Sequence, residues 1–259
     1  MSLKSIIGSS VQRVVNVVWP PRSLLSEKRV EHQGTIEAEI WADLPFISGP
    51  ICYCCGIPME GSFHPESLCG ACGAQAPSFD MARAVLEYDD LTRPLVLQLK
   101  HAGRKDGVKT YANWLAQIAP NLDGIDLIVP VPAHWTRIFE RGFNQAAWLS
   151  QALSKLCKKP WRPDVLIRRR KTVSQNGLSQ KGRQRNVEGA FSAISSLNGM
   201  NILLVDDVYT TGATLESCAK ALKRAGARTV YAVSLLRVCR PQTIDIVDEP
   251  IADEIDAKI

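Results

Sequence analysis

Three things are missing from this 259-residue chain, and each removes a class of function. No apolar run approaches the ~18 residues a helix needs to cross a bilayer, so no membrane span is expected. The first residues have neither a continuous apolar core nor a cleavage site, so no secretory leader is read there. The expected location is therefore the cytoplasm, where thiols stay reduced. The eight cysteines are then metal ligands or buried thiols rather than disulfides. The third absence is a phosphate loop of the form Gly-x-x-x-x-Gly-Lys-Ser/Thr. The nearest stretch, 177–183, puts Arg183 where the lysine belongs and follows no apolar strand. That excludes a P-loop nucleotidase.

With 46% apolar and 22% charged residues, the chain has room for one medium globular domain and a small one. Its net charge of +5 is unevenly spread. Residues 241–259 hold six acids and one lysine, which leaves the body at about +10. A basic body suits phosphorylated ligands, pyrophosphate or nucleic acid, and does not choose among them.

The chain is organised around residues 201–214, Asn-Ile-Leu-Leu-Val-Asp-Asp-Val-Tyr-Thr-Thr-Gly-Ala-Thr. Ile202, Leu203, Leu204 and Val205 form an unbroken aliphatic run, as in a strand buried on both faces of a parallel sheet. The strand is expected to end at Asp206 and Asp207. A helix is expected over 213–225, with Leu215, Cys218, Ala219 and Leu222 at helical spacing and Gly226 as its stop. A Thr/Gly turn feeding a helix N-terminus offers backbone N–H groups and the positive end of the helix dipole to an anion. Thr210, Thr211 and Thr214 add hydroxyls, and Gly212 permits close backbone approach. Two carboxylates beside that anion suit a hydroxyl-rich ligand or a metal, at the strand end where open α/β sheets bind. A sugar phosphate meets every demand. An ordinary strand–turn–helix with a Thr cap is the alternative.

These residues resemble the phosphoribosyl pyrophosphate (PRPP) motif of type I phosphoribosyltransferases. The resemblance implies that Asp206 and Asp207 hold the ribose hydroxyls and are the candidate catalytic residues, orienting the ribose and assisting a proton transfer. It also implies that Thr210, Thr211, Gly212, Ala213 and Thr214 wrap the phosphate.

Cys52-x-x-Cys55-Gly56 and Cys69-x-x-Cys72-Gly73 are separated by thirteen residues between Cys55 and Cys69. Paired knuckles of this form are a zinc motif, and four thiolates leave no open position for water, so the zinc is structural. Each Gly is expected to relieve a tight turn. Cys54 is surplus, and His64 reads as a loop residue. The unit is too short for a core of its own, so zinc must supply much of its stability.

Further strands are expected at 82–88, 126–131, 165–167 and 229–236, with helices at 91–101, 109–119 and 142–157. Alternating strands and helices define a doubly wound α/β sheet. The expected divisions are an amphipathic helix in 1–20, packed on the protein or lying on a membrane surface, then 21–48, a zinc ribbon in 49–78, the α/β domain in 79–240 and the acidic tail in 241–259. Between 168 and 187 lie seven basic residues and no acid, among them Arg168, Arg169, Arg170 and Lys171. This run reads as a hood over a leaving pyrophosphate or as a nucleic-acid surface.

Taken whole, the chain resembles the ComF family. The resemblance rests on Val129-Pro130-Val131-Pro132 with Arg137 and Arg141-Gly142-Phe143-Asn144-Gln145, on Gln175-x-x-Leu178-Ser179 with Arg183-x-x-Asn186-Val187, and on the cysteine unit. It implies a phosphoribosyltransferase fold binding PRPP with Mg²⁺. Pro132, Ala133 and His134 would lie near pyrophosphate, and Lys100, Arg137 and Arg141 are candidate phosphate partners. It also implies an association with competence for DNA uptake and with DNA utilisation, single-stranded DNA or the uptake machinery being the partner. The alternative is a non-catalytic or PRPP-sensing partner protein. Where the family carries an earlier set of cysteines, this chain has Ser23, Ser26, Glu37 and Ile40. Such residues are poor zinc ligands or none, so the first ribbon is expected to be metal-free.

Overall fold

The computed structural model describes residues 20–26, 28–61, 64–101, 105–133, 143–169 and 189–239, the side chains of Lys100 and His101 excepted. Residues 1–19 of the expected 1–20 helix, the acidic tail, most of the basic run, and His134, Arg137 and Arg141 lie outside the described residues.

Six strands are described: Met81–Glu87 (β1), Leu127–Pro130 (β2), Leu166–Arg168 (β3), Phe191–Ala193 (β4), Asn201–Tyr209 (β5) and Thr229–Arg237 (β6). The helices are Ala38–Ala42 (α1), Gly70–Ala74 (α2), Arg93–His101 (α3), Val108–Ile118 (α4), Gln145–Cys157 (α5) and Ala213–Arg224 (α6). Four strands build an all-parallel sheet in the order β1-β6-β5-β2, while β3 and β4 form a separate antiparallel pair.

The aliphatic run in β5 is unbroken because both faces of the sheet are covered. Ile202 and Leu204 join the core beneath α6, together with Cys52, Cys55, Cys72 and Phe79. Leu203 and Val205 join the opposite core with α3, α4 and α5. The cysteine unit thus shares the core under α6, and zinc is not its sole source of apolar burial. No helix among the described residues is long and apolar enough to cross a membrane.

Irregular chain covers both sheet edges, which removes unpaired backbone there. On the β1 edge, Ile47 N–H donates to Val85 O (2.9 Å), and Ala82 N–H donates to Cys54 O (2.7 Å). On the β2 edge, Ile128 N–H donates to Pro160 O (2.9 Å) and Arg162 N–H to Ile128 O (3.1 Å).

The strand carrying the acids is longer than the sequence pattern implies. It does not end at Asp206 but runs through Asp206 and Asp207 to Tyr209. The reason is pairing: β6 stays in register with it (Asp206↔Ser234, Tyr209↔Arg237) after β2 has stopped at Pro130↔Val205. The acids therefore sit on a strand that has kept one neighbour and lost the other.

The first segment, where Ser23, Ser26, Glu37 and Ile40 stand in place of cysteines, is held by a polar clasp. The Ser23 and Ser26 hydroxyls each donate to Glu37, one to each carboxylate oxygen. The amides of Leu25 and Lys28 donate to those serine oxygens (3.2 and 3.1 Å). Three of the four positions expected to have lost metal ligands thus still meet, around a carboxylate. The fourth, Ile40, lies in α1. Leu24 and Leu44 enter the core beside α4, and Trp41, Phe46 and Trp114 form an aromatic cluster with centroids 5.2–5.8 Å apart.

Partial burial opposes ionisation of Glu37, but the two hydroxyls and its own amide outweigh it and hold the carboxyl below its usual range. The clasp's contribution is therefore complete above the ordinary carboxylate pKa of about 4.3. It is lost as pH falls through the lower native value. Glu37→Gln should lower the melting temperature at neutral pH, and the gap to wild type should close under acid. A gap that is constant down to about pH 3 would show that the charge on Glu37 plays no part.

Candidate functional site

The four sulfurs of Cys52, Cys55, Cys69 and Cys72 all lie within 4.8 Å of one another. A tetrahedron with Zn–S bonds of about 2.3 Å has edges of about 3.8 Å, and the Cys55–Cys69 separation is 3.8 Å. The donor set and its spacing fit zinc. Gly56 has φ +71°, and a Cβ there would lie 2.5 Å from Ala82 O, so the first knuckle requires glycine. The second differs from expectation. Cys69 caps α2 and Cys72 lies within it, so Gly73 occupies an ordinary helical turn and relieves nothing.

Burial opposes ionisation of Cys52, yet amides of Cys69, Cys55 and Cys54 outweigh it and bring this thiol down to about 6. Burial pushes Cys55 up to about 11, and burial with neighbouring sulfur charge raises Cys72 as well. A divalent cation is what allows all four to ionise together, with release of protons. Cys54 stays outside the cluster, its sulfur 3.8 Å from Phe79 O. His64 is exposed and accepts from Glu66 N–H (3.3 Å).

At the carboxyl end of β5, Asp206 Oδ1 accepts from Asp207 N–H (2.9 Å), and Asp207 Oδ1 from Val208 N–H (2.9 Å). Thr210 and Thr211 bend the chain into Gly212, which precedes α6 in the left-handed region (φ +80°, ψ −4°). A Cβ at Gly212 would lie 2.8 Å from the Tyr209 ring. Here glycine is needed for the turn itself and for the ring beneath it. No side chain caps α6, whose first backbone bond runs from Glu216 N–H to Gly212 O (2.8 Å). The Thr211 hydroxyl is buried without a hydrogen-bond partner. A buried orphan donor beside an uncapped helix start is the geometry an anion completes.

Pro132 and Ala133 follow β2 at the same end of the sheet, just past Val131, whose amide donates to Val205 O (2.9 Å). Lys100 lies in the last turn of α3. The described structure thus brings Pro132 and Ala133 to the sheet end that carries Asp206, Asp207 and the turn.

A cavity of about 180 Å³ lies between α2 and the turn, bordered by Gln75, Phe79, Tyr209, Thr211, Gly212 and Glu216 among others. Asp206 and Asp207 do not border it. It therefore adjoins the turn on the cysteine-unit side rather than forming the crevice of the acid pair. Glu216 accepts from Ser78 N–H (2.7 Å) and Ser78 Oγ (2.8 Å). Sequence reasoning missed Ser78, Tyr209, Glu216 and Arg237. Only Arg237 left a trace, as a lone charge closing the apolar strand β6.

A two-faced parallel sheet, a carboxylate pair and Gly turn at the end of an inner strand, and a four-cysteine unit beside them define a phosphoribosyltransferase-fold protein with an N-terminal zinc ribbon. Residues 141–249 match the phosphoribosyl transferase domain, and residues 14–73 match the double zinc ribbon domain. The DNA utilization protein YhgH of Shigella flexneri is 34% identical over 193 residues, covering 72% of this chain and 84% of that protein. Competence protein F of Haemophilus influenzae is 33% identical over 199 residues (73% and 86%). Competence protein ComFC of Bacillus subtilis is 30% identical over 205 residues (74% and 79%). The chain belongs to the ComF family.

Proposed function

We propose that this protein binds PRPP at the carboxyl ends of β2 and β5 and transfers its phosphoribosyl group to a nitrogen nucleophile, releasing pyrophosphate. The observation that carries this reading is one continuous segment holding Asp206, Asp207, the left-handed Gly212 and the orphan Thr211 hydroxyl at an uncapped helix start. Asp206 and Asp207 accept from the ribose hydroxyls. The turn of Thr210, Thr211, Gly212, Ala213 and Thr214 binds the terminal phosphate through amides and hydroxyls.

As the nucleophile attacks C1, the C1–O bond to pyrophosphate breaks, negative charge grows on the departing oxygens, and Asp206 or Asp207 assists the transfer of the proton that the nitrogen loses. Lys100, Arg137, Arg141 and the basic run offset that charge, and Pro132, Ala133 and His134 border the pyrophosphate. Mg²⁺ prefers oxygen donors, and Asp206 and Asp207 are of that kind; bound with PRPP, it would neutralise the same growing charge.

The names of the relatives favour a role in DNA uptake or utilisation, and a second reading joins that role to a site that senses PRPP without turnover. Titration of PRPP with and without Mg²⁺, then a pyrophosphate-release screen over candidate bases, separates the two. Magnesium-dependent binding with release for at least one base supports the transferase. Binding without release for any base supports the sensor. No binding at millimolar PRPP, with single-stranded DNA still bound, overturns both uses of PRPP.

A further inference from the structure

We infer that Arg237 couples the zinc ribbon to the phosphate turn, so that metal binding at the four cysteines and sugar-phosphate binding at the turn reinforce each other. The inference rests on the proposed reading of residues 210–214 as a phosphate site.

Arg237 closes β6 and is 5% exposed. Its Nη1 donates to the carbonyl of Cys55 (2.6 Å), and Nη2 lies 3.6 Å from the Cys55 sulfur. The same guanidinium stands 3.8 Å from the centroid of the Tyr209 ring. Tyr209 is its register partner across the sheet and the last residue of β5 before the turn. The ring packs in turn under Gly212, where a Cβ would come within 2.8 Å of it. A metal ligand and the residue that starts the phosphate helix are therefore linked by two side chains in direct contact.

The link is stiff for physical reasons. A buried guanidinium is tolerated only with hydrogen bonds and counter-charge, and among the described residues no carboxylate forms an ion pair with Arg237. A metal-bound sulfur is a fixed thiolate, so zinc at Cys55 supplies an anion at a set position. The other face of the guanidinium is taken by the aromatic ring, a cation–π contact strengthened by burial. A phenol of ordinary pKa about 10 is neutral at ordinary pH, so the ring offers its π face to the cation without a charge of its own. Phe79 meets Tyr209 edge-on (6.3 Å), and Ser78 bonds Glu216 in the first turn of α6. The ribbon thus braces both the turn and the helix behind it. Moving the Cys55 carbonyl shifts the guanidinium, and with it the ring on which Gly212 rests.

Groups that hold a metal ligand from outside typically change metal affinity 10–100-fold when removed. Coupling between two sites is reciprocal, so a sugar phosphate must tighten zinc by the factor with which zinc tightens the sugar phosphate.

The test uses full-length protein. Direct titration first reads whether the zinc-loaded form binds ribose 5-phosphate, the magnesium-independent probe of the turn. Competition with a chromophoric chelator then measures zinc affinity with and without ribose 5-phosphate, for wild type, Arg237→Met and Arg237→Lys. In wild type the ligand should tighten zinc about tenfold, within the usual range of coupling. Arg237→Met should weaken zinc about 10–100-fold and abolish the ligand's effect, while Arg237→Lys recovers part of it by keeping the charge. Should Arg237→Met fail to fold, wild type and Arg237→Lys decide alone. Ribose 5-phosphate that binds yet leaves zinc affinity unchanged overturns the coupling and spares the proposed function. A zinc-loaded protein that does not bind ribose 5-phosphate overturns the phosphate reading and the coupling with it, and the first titration identifies which failed.

Discussion

Changing Cys69 to Ser should strip the protein of zinc and lower its melting temperature by about 10 °C or more, whereas Cys54→Ser should leave both unchanged. The two residues differ in place, not in chemistry. Cys69 sulfur is 3.8 Å from that of Cys55 and belongs to the cluster, while Cys54 points at Phe79 O from outside it. Structural zinc contributes about 10–16 kcal/mol of apparent binding energy in finger peptides. Losing even about 4 kcal/mol of it would move the transition by roughly 8–16 °C for a protein of this size. Effects should spread beyond the ribbon, because Cys52, Cys55 and Cys72 lie in the core under α6. Elemental analysis of wild type should give one zinc per chain. Two per chain would overturn the metal-free clasp of Ser23, Ser26 and Glu37.

The second large effect concerns the acids. In wild type, PRPP at a hundredfold excess over its Kd should stabilise the native state by about 2.7 kcal/mol, a rise on the order of 5–10 °C. The double change Asp206→Asn and Asp207→Asn should abolish that rise. Two hydrogen bonds to ionised groups, at about 1.5–3 kcal/mol each, correspond to a hundredfold or more in Kd. Both acids are half-buried, and each accepts a neighbouring backbone amide that an Asn oxygen also accepts. A wild-type shift that survives in the double variant would move the ribose away from β5.

Much of the α/β unit was legible because its signals are local. The aliphatic run 202–205, the helical spacing of Leu215, Cys218, Ala219 and Leu222, and the stop at Gly226 each depend on a few adjacent residues, and β5 and α6 follow from them. The cysteine spacing identified the metal cluster for the same reason. The end of β5 was not legible, because whether Asp206 continues a strand is decided by β6 pairing beside it.

The sequence by itself determined which chemical groups this protein owns: four thiolates at zinc spacing, two acids followed by a Thr/Gly turn, and a first ribbon emptied of cysteine. It also determined the doubly wound class, since alternating patterns of strand and helix need both faces of a sheet covered. Only the tertiary structure decided how those groups are held. Glu37 reaches Ser23 and Ser26 across 14 and 11 residues, and Arg237 reaches Cys55 across 182. Contacts at such separations leave no periodicity in a chain, because their cause is the packing of the ribbon against the sheet rather than any preference of neighbouring residues. That packing places the Tyr209 ring, and the ring in turn explains why residue 212 is glycine.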